Sequence, residues 1–273
     1  MTELNARQQR LRDAFIELRG YWGPQHDTLV RLSADLFESH SHSASLPWVK
    51  GVIEPKVKEF IYIALDVNAS HLYEPGLRLH LNNAVKFGAT LDELAHVLIV
   101  VATVGLNTFE AGLPIVVEEA KAMGVAVPET DQPADSIGKR YEDNVGSLPA
   151  GLRLLAKIAP EYFEAAVDLS VAASTTGPLP EKVKAFLRLT ADLTTTKIFG
   201  PAARLHVRDA LRHGATVPEL VEVLHLVSIV GLHSCTFGGP ILFEEVKSGA
   251  KTTNTGSSTQ AGGKRNVLGQ ASE

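Results

Sequence analysis

Behind Thr90, apolar side chains fall at Leu94, Val97, Leu98 and Val101, and behind Thr216 at Leu220, Val223, Leu224 and Val227. That 3, 4, 7 spacing puts each set on one face of an α-helix. Thr90 with Glu93, and Thr216 with Glu219, form S/T-x-x-E capping boxes, in which hydroxyl and carboxylate each satisfy an orphan amide at a helix start. Gly88 and Gly214 stand where the preceding helix must stop, because glycine takes the left-handed C′ conformation without steric cost. Pro75 and Pro201 lie at the start of that preceding helix, where a missing N–H is harmless. A further helix is expected at roughly Pro55 to Val67 and again at Glu181 to Leu193. No segment alternates with period two between turn signals, so the pattern predicts an all-α fold.

These elements come in pairs because the sequence repeats. A shift of 126 residues lays His80-Leu81-Asn82-Asn83-Ala84 over His206-Val207-Arg208-Asp209-Ala210, and the register holds without a gap from Lys56 to Glu119. Of the 40 pairs from His80/His206 to Glu119/Glu245, 18 are identical, so the halves are copies of one module that share a fold. Upstream, Lys56, Lys58, Phe60, Asp66, Pro75 and Arg78 recur as Lys182, Lys184, Phe186, Asp192, Pro201 and Arg204. The expected organisation is a first module over 1–128, a second over 137–247, and a Gly/Ser/Thr-rich flexible tail over 248–273, with the boundary near the Pro/Asp-rich segment Val127 to Ser136.

Composition narrows the function. Apolar residues make up 45% of the 273 positions, enough for a packed core. A net charge of −5 and the absence of any Lys/Arg run give no field for nucleic acid or anionic lipid, so neither a nucleic-acid nor a membrane partner is expected. The first twenty residues are polar, and the longest apolar run, Val97 to Leu106, is well short of the roughly 20 residues of a spanning helix, so a cytoplasmic protein is expected. One cysteine, Cys235, excludes an intrachain disulfide, a Cys₄ metal site and a CxxC redox pair, and reads as a small buried hydrophobe. His40-Ser41-His42, with His71, lacks a patterned carboxylate or cysteine partner and reads as a solvated loop; no metal site is expected.

His80 and His206 are the candidate chemical groups. Both halves keep this ionisable side chain at one helical position, at the edge of the apolar stripe, where an imidazole with its near-neutral pKa can face a cleft. A structural histidine bonded to a neighbouring helix would give the same pattern.

The run Leu77-Arg78-Leu79-His80-Leu81-Asn82-Asn83-Ala84, then Gly88-Ala89-Thr90, Glu93-Leu94 and Val104-Gly105, resembles the signature of the carboxymuconolactone decarboxylase family, and Leu205-His206 with Gly214-Ala215-Thr216-x-x-Glu219 repeats it. The resemblance implies an all-α fold of two tandem alkylhydroperoxidase-like (AhpD-like) modules forming an intrachain pseudo-dimer, and a homo-oligomer, a trimer or dimer of tandem chains. The thiol-peroxidase branch places cysteines seven and four residues before the histidine. Here those places hold Tyr73 and Gly76, and Phe199 and Ala202, which removes that chemistry. The decarboxylase branch implies a cofactor-free enzyme that acts by proton transfer, with or without loss of CO₂, on a small carboxylated or lactone-type metabolite of the kind met in aromatic-compound breakdown: a carboxy-lyase, or an isomerase or other lactone-acting enzyme. Loss of CO₂ leaves a dienolate, which needs a stabilised oxygen and a proton delivered to carbon. By this resemblance His80 and His206 are the acid/base residues, and Glu59 matches the glutamate that precedes the family histidine, although its counterpart is Ala185. Arg78 and Arg204 are candidates to bind the substrate carboxylate, though they point about 200° around the helix from the histidines. His233, with His225 and Cys235, stands in the second half where the first has Asn107, Ile99 and Phe109, and His233 is a further substrate-binding candidate. The competing expectation is a non-catalytic oligomeric scaffold. An enzyme should close a pocket around His80 or His206, whereas a scaffold should bury the imidazoles against backbone carbonyls.

Overall fold

The structure, a computed structural model, describes residues 3–128, 135–196 and 198–255. Among them every regular element is helical: α1 (Ala6–Arg19), α2 (Pro24–Leu32), α3 (Ala34–Lys50), α4 (Pro55–Asp66), α5 (Glu74–Lys86), α6 (Leu91–Ala102) and α7 (Asn107–Ala122), then α8 (Asp135–Asn144), α9 (Ala150–Ile158), α10 (Pro160–Thr175), α11 (Glu181–Leu193), α12 (Gly200–Arg212), α13 (Val217–Ser228) and α14 (His233–Thr255). Short 3₁₀ turns, Thr103–Leu106 and Ile229–Leu232, precede α7 and α14.

Both expected capping boxes are formed, with Thr90 accepting from the Glu93 amide and Thr216 from the Glu219 amide. Gly88 and Gly214 end their helices at φ +81° and +82°, the left-handed conformation that only glycine adopts freely. The spacing of the elements extends the 126-residue recurrence beyond the stretch of recognisable sequence. Pro24–Leu32 returns as Ala150–Ile158, and α3 and α10 start at Ala34 and Pro160, 126 residues apart in both cases.

Two expectations change. His40-Ser41-His42 is not in a loop but inside α3, which begins where the Leu36 amide bonds the Ser33 hydroxyl and whose inward residues, Phe37 and Ala44, bury that face. Of the expected tail, 248–255 continues α14, and 256–273 lies outside the described residues, as does part of the expected boundary, 129–134. The stretches Leu91–Ala122 and Val217–Lys247 are, by length and composition only, long and apolar enough to cross a bilayer, with mean hydropathy 1.6, although the short run Val97 to Leu106 suggests no such helix. Each is interrupted by a 3₁₀ turn, and near its start carries an ion pair, Lys56–Glu93 and Lys182–Glu219 at 2.8 and 2.9 Å.

The contacts divide the chain into two compact units. One, residues 1–41 with 232–273, packs α2 on α14 around Phe15, Leu29, Val30 and Phe37, with Cys235 half-buried against them. The other, residues 42–231, has α4 and α11 against each other at its centre. These two helices are buried continuously, from Val57 to Asp66 and from Val183 to Asp192, so their charged residues have no water to face. Around them the halves exchange contacts at repeat-equivalent positions. Asn68 reaches the Thr194 hydroxyl at 3.4 Å, and the Ser70 and Thr196 hydroxyls meet at 2.9 Å. Glu222 on α13 accepts the amides of Val52 and Ile53 at 2.7 and 3.1 Å, while His96, its equivalent on α6, accepts that of Leu179 at 3.1 Å. In the same unit α7 of the first half packs on α9 of the second.

Candidate active site

Continuous burial of α11 forces its polar groups to find partners inside the protein. Arg188 and Asp192, four residues apart and therefore on one face, both line a cavity of about 40 Å³. Asp192, its side chain 1% exposed, accepts from His206 Nδ1 on α12 at 2.8 Å and from Asn107 Nδ2 at 2.6 Å. The Nδ1–H that points at the carboxylate fixes the ring and its tautomer, and leaves Nε2 as the nitrogen with no partner among the described residues. His206 is the more accessible of the two, at 18% of its side chain. A buried carboxylate behind an imidazole stabilises the imidazolium, so the pair can hold a proton and release it to a bound molecule.

Arg188 is 8% exposed and directs Nη1 to the Val145 carbonyl at 3.0 Å and Nη2 to the Ser174 hydroxyl at 3.2 Å. Among the described residues it has no ion-pair partner, and burial pulls its pKa below the usual guanidinium value. Tyr141 on α8 also lines the cavity; burial pushes its hydroxyl up to about 12, so it stays a neutral donor. The first half contributes Val100, Thr103, Val104, Leu106, Asn107 and Glu110 to the wall. Glu110 is held by the Gly151 amide at the start of α9.

The first half builds a different arrangement. His80 Nδ1 lies 2.6 Å from Glu59 Oε2, and the imidazole stacks on Tyr62 with centroids 4.4 Å apart and planes at 23°. Tyr62 occupies the place that Arg188 takes in the second half, since 188 − 126 = 62. Asp66, the counterpart of Asp192, is buried, and neither of its oxygens has a hydrogen-bond partner among the described residues. Burial, more than the opposing influence of His80, pushes its carboxyl up to about 7.

The sequence thus points to both histidines and the Glu59–His80 contact, but it reads as leaving the second half without a carboxylate because Ala185 replaces glutamate. Asp192 supplies it. The signal is present, since Asp66 and His80, like Asp192 and His206, stand 14 apart and recur. The two arginines lie apart from the cavity. Arg78 is exposed and paired with Glu74 at 2.7 Å, and Arg204 is exposed; neither lines the cavity, whose cation is Arg188. The helical turn that brings residue 206 inward rotates 204 out. His233 opens α14, as Asn107 opens α7. His225 is structural: Pro47 has no N–H to offer the Ser43 carbonyl one turn back, and His225 Nε2 meets that carbonyl at 2.9 Å.

Among the described residues the regular elements are all helical and include two imidazole–carboxylate pairs, and the single cysteine of the chain leaves no thiol pair. Comparison with known proteins makes the class particular. The model of the carboxymuconolactone decarboxylase family matches residues 37–118. A solved structure from Burkholderia xenovorans LB400, provisionally described as a gamma-carboxymuconolactone decarboxylase subunit, is 34% identical over 89% of this chain and 98% of its own, with a TM-score of 0.83. No functionally curated protein matches. The chain belongs to the carboxymuconolactone decarboxylase family, whose membership supports decarboxylase-type chemistry in general.

Proposed function

We propose that the chain is a cofactor-free decarboxylase of a small lactone acid, and that the second half does the chemistry. The observation that carries this is the cavity itself, where His206 on its buried Asp192 shares a wall with Arg188, a buried cation with no ion-pair partner among the described residues. In the reaction the bond between the ring carbon and its carboxylate breaks and CO₂ leaves. The electron pair spreads into the unsaturated lactone as a dienolate, and the His206 imidazolium delivers its proton to carbon. Asp192 orients the ring for the transfer through its bond to Nδ1, and neutral His206 regains a proton from solvent. The 126-residue recurrence and the contacts Asn68–Thr194 and Ser70–Thr196, which join repeat-equivalent residues, support reading the chain as two fused modules.

The scaffold alternative calls for imidazoles spent on backbone carbonyls. His96 and His225 are spent that way, on Ala173 and Ser43, whereas His80 and His206 face carboxylates. The test is to incubate the purified protein with carboxymuconolactone in D₂O, following CO₂ release and deuterium entry at carbon. The reading expects both, and expects His206→Asn to lower the rate by about 100-fold or more. Absence of CO₂ from wild type removes this substrate.

A further inference from the structure

A guanidinium that is nine-tenths buried, with no ion-pair partner among the described residues and with Glu181 and Asp209 acting on it only from beyond contact, is a costly group to keep in a fold. Removing an ion from water costs several kcal/mol unless an opposite charge or a full set of hydrogen bonds compensates it. Arg188 has five N–H donors, and the Val145 carbonyl and the Ser174 hydroxyl are the acceptors it meets among the described residues. The two acids in the same wall are already engaged, Asp192 by His206 and Asn107, and Glu110 by the Gly151 amide. Tyr141, 7% exposed as a residue, lines the cavity with them, and its hydroxyl makes no hydrogen bond among the described residues. A cation with no ion-pair partner and a hydroxyl with no hydrogen bond, both among the described residues, therefore line one cavity.

We infer that this space is a carboxylate-binding subsite in which the Arg188 guanidinium supplies the counter-charge and the Tyr141 hydroxyl donates to an oxygen of the same ligand. The inference rests on reading the cavity as the reaction site, and it adds the polarity of what enters: a small acid, carboxylate first. Its volume of about 40 Å³ admits the acid end of a ligand rather than a whole ring. The carboxylate held here is one that the reaction retains. A guanidinium on the departing carboxylate would stabilise the charge that must leave it, and would raise the barrier instead of lowering it. The repeat points the same way, because the first half has Tyr62 at the position of Arg188 and Phe15 at that of Tyr141, so neither the cation nor the hydroxyl is an inherited packing feature of the module.

The probe pair is propionate and propionamide, alike in size and different in charge, titrated into the full chain and followed by NMR. The wild type is expected to bind propionate about tenfold or more tightly than propionamide. Tyr141→Phe, which removes an oxygen with no protein partner and so keeps the fold, is expected to weaken propionate about three- to tenfold and leave propionamide within about twofold. Arg188→Gln is expected to abolish the preference for the anion. Equal binding of the two probes by wild type, binding of neither, or a Tyr141→Phe variant that binds propionate unchanged would each overturn the subsite. Because the probe pair is decisive on wild-type protein, the conclusion survives if Arg188→Gln does not fold. Charge-selective binding without CO₂ release from carboxymuconolactone would sink the decarboxylase reading and leave the subsite standing; CO₂ release without charge-selective binding would do the reverse.

Discussion

Asp66 and Asp192 hold one position of the repeat in different surroundings. Asp192 meets a histidine and an asparagine, while Asp66 is buried without a hydrogen bond among the described residues and its carboxyl is pushed up to about 7. An acid whose folded pKa lies above its unfolded value binds more protons in the folded state, so the stability it confers is present below about 4 and is lost as pH rises to about 7. Asp66→Asn is therefore expected to match wild type near pH 4 and to exceed it at pH 8 by up to a few kcal/mol, since each tenfold difference in proton affinity is worth about 1.4 kcal/mol. Chemical denaturation at both pH values checks this, and equal stability of the two proteins at pH 8 would refute it. His225→Ala leaves the Ser43 carbonyl beside Pro47 without a donor, and is expected to cost about 1–3 kcal/mol with no effect on turnover.

At the scale of elements, α11 shows how far the sequence can be read. Its observed range, Glu181–Leu193, is the expected one, and the starts of α6 and α13 follow from capping boxes, because those signals are local. Asp192 is visible as a repeated residue but not as the partner of His206, since the 14 residues between them include the turn from α11 to α12, whose path no local rule gives. Arg188 is hidden for the opposite reason. A search for features common to both halves passes over a residue whose counterpart is Tyr62. His40-Ser41-His42 reads as a loop because polar residues in a row suggest one, while Phe37 and Ala44 on the inner face of α3 decide the helix. The junction of α7 with the site gives a test at this scale. Asn107→Ala leaves one oxygen of buried Asp192 without its donor, and is expected to lower kcat about tenfold with little change in KM.

At the scale of the molecule, the cavity beside His206 is completed by the first half. Residues from Val100 to Glu110 form one wall of the cavity, and α7 packs on α9. A fragment beginning at residue 135 lacks that wall. It is expected to release no CO₂ from carboxymuconolactone even where circular dichroism reports helix, and turnover by the fragment would show that the halves work independently.

The central claim is that the two histidines, alike in sequence, differ in task. The most direct measurement is kcat/KM for CO₂ release from carboxymuconolactone by His80→Asn and His206→Asn, made side by side on folded protein. The account predicts a fall of about 100-fold or more for His206→Asn, and a change of no more than about threefold for His80→Asn. Loss of activity in His80→Asn with activity kept in His206→Asn would contradict it and move the chemistry to the Glu59–His80 pair.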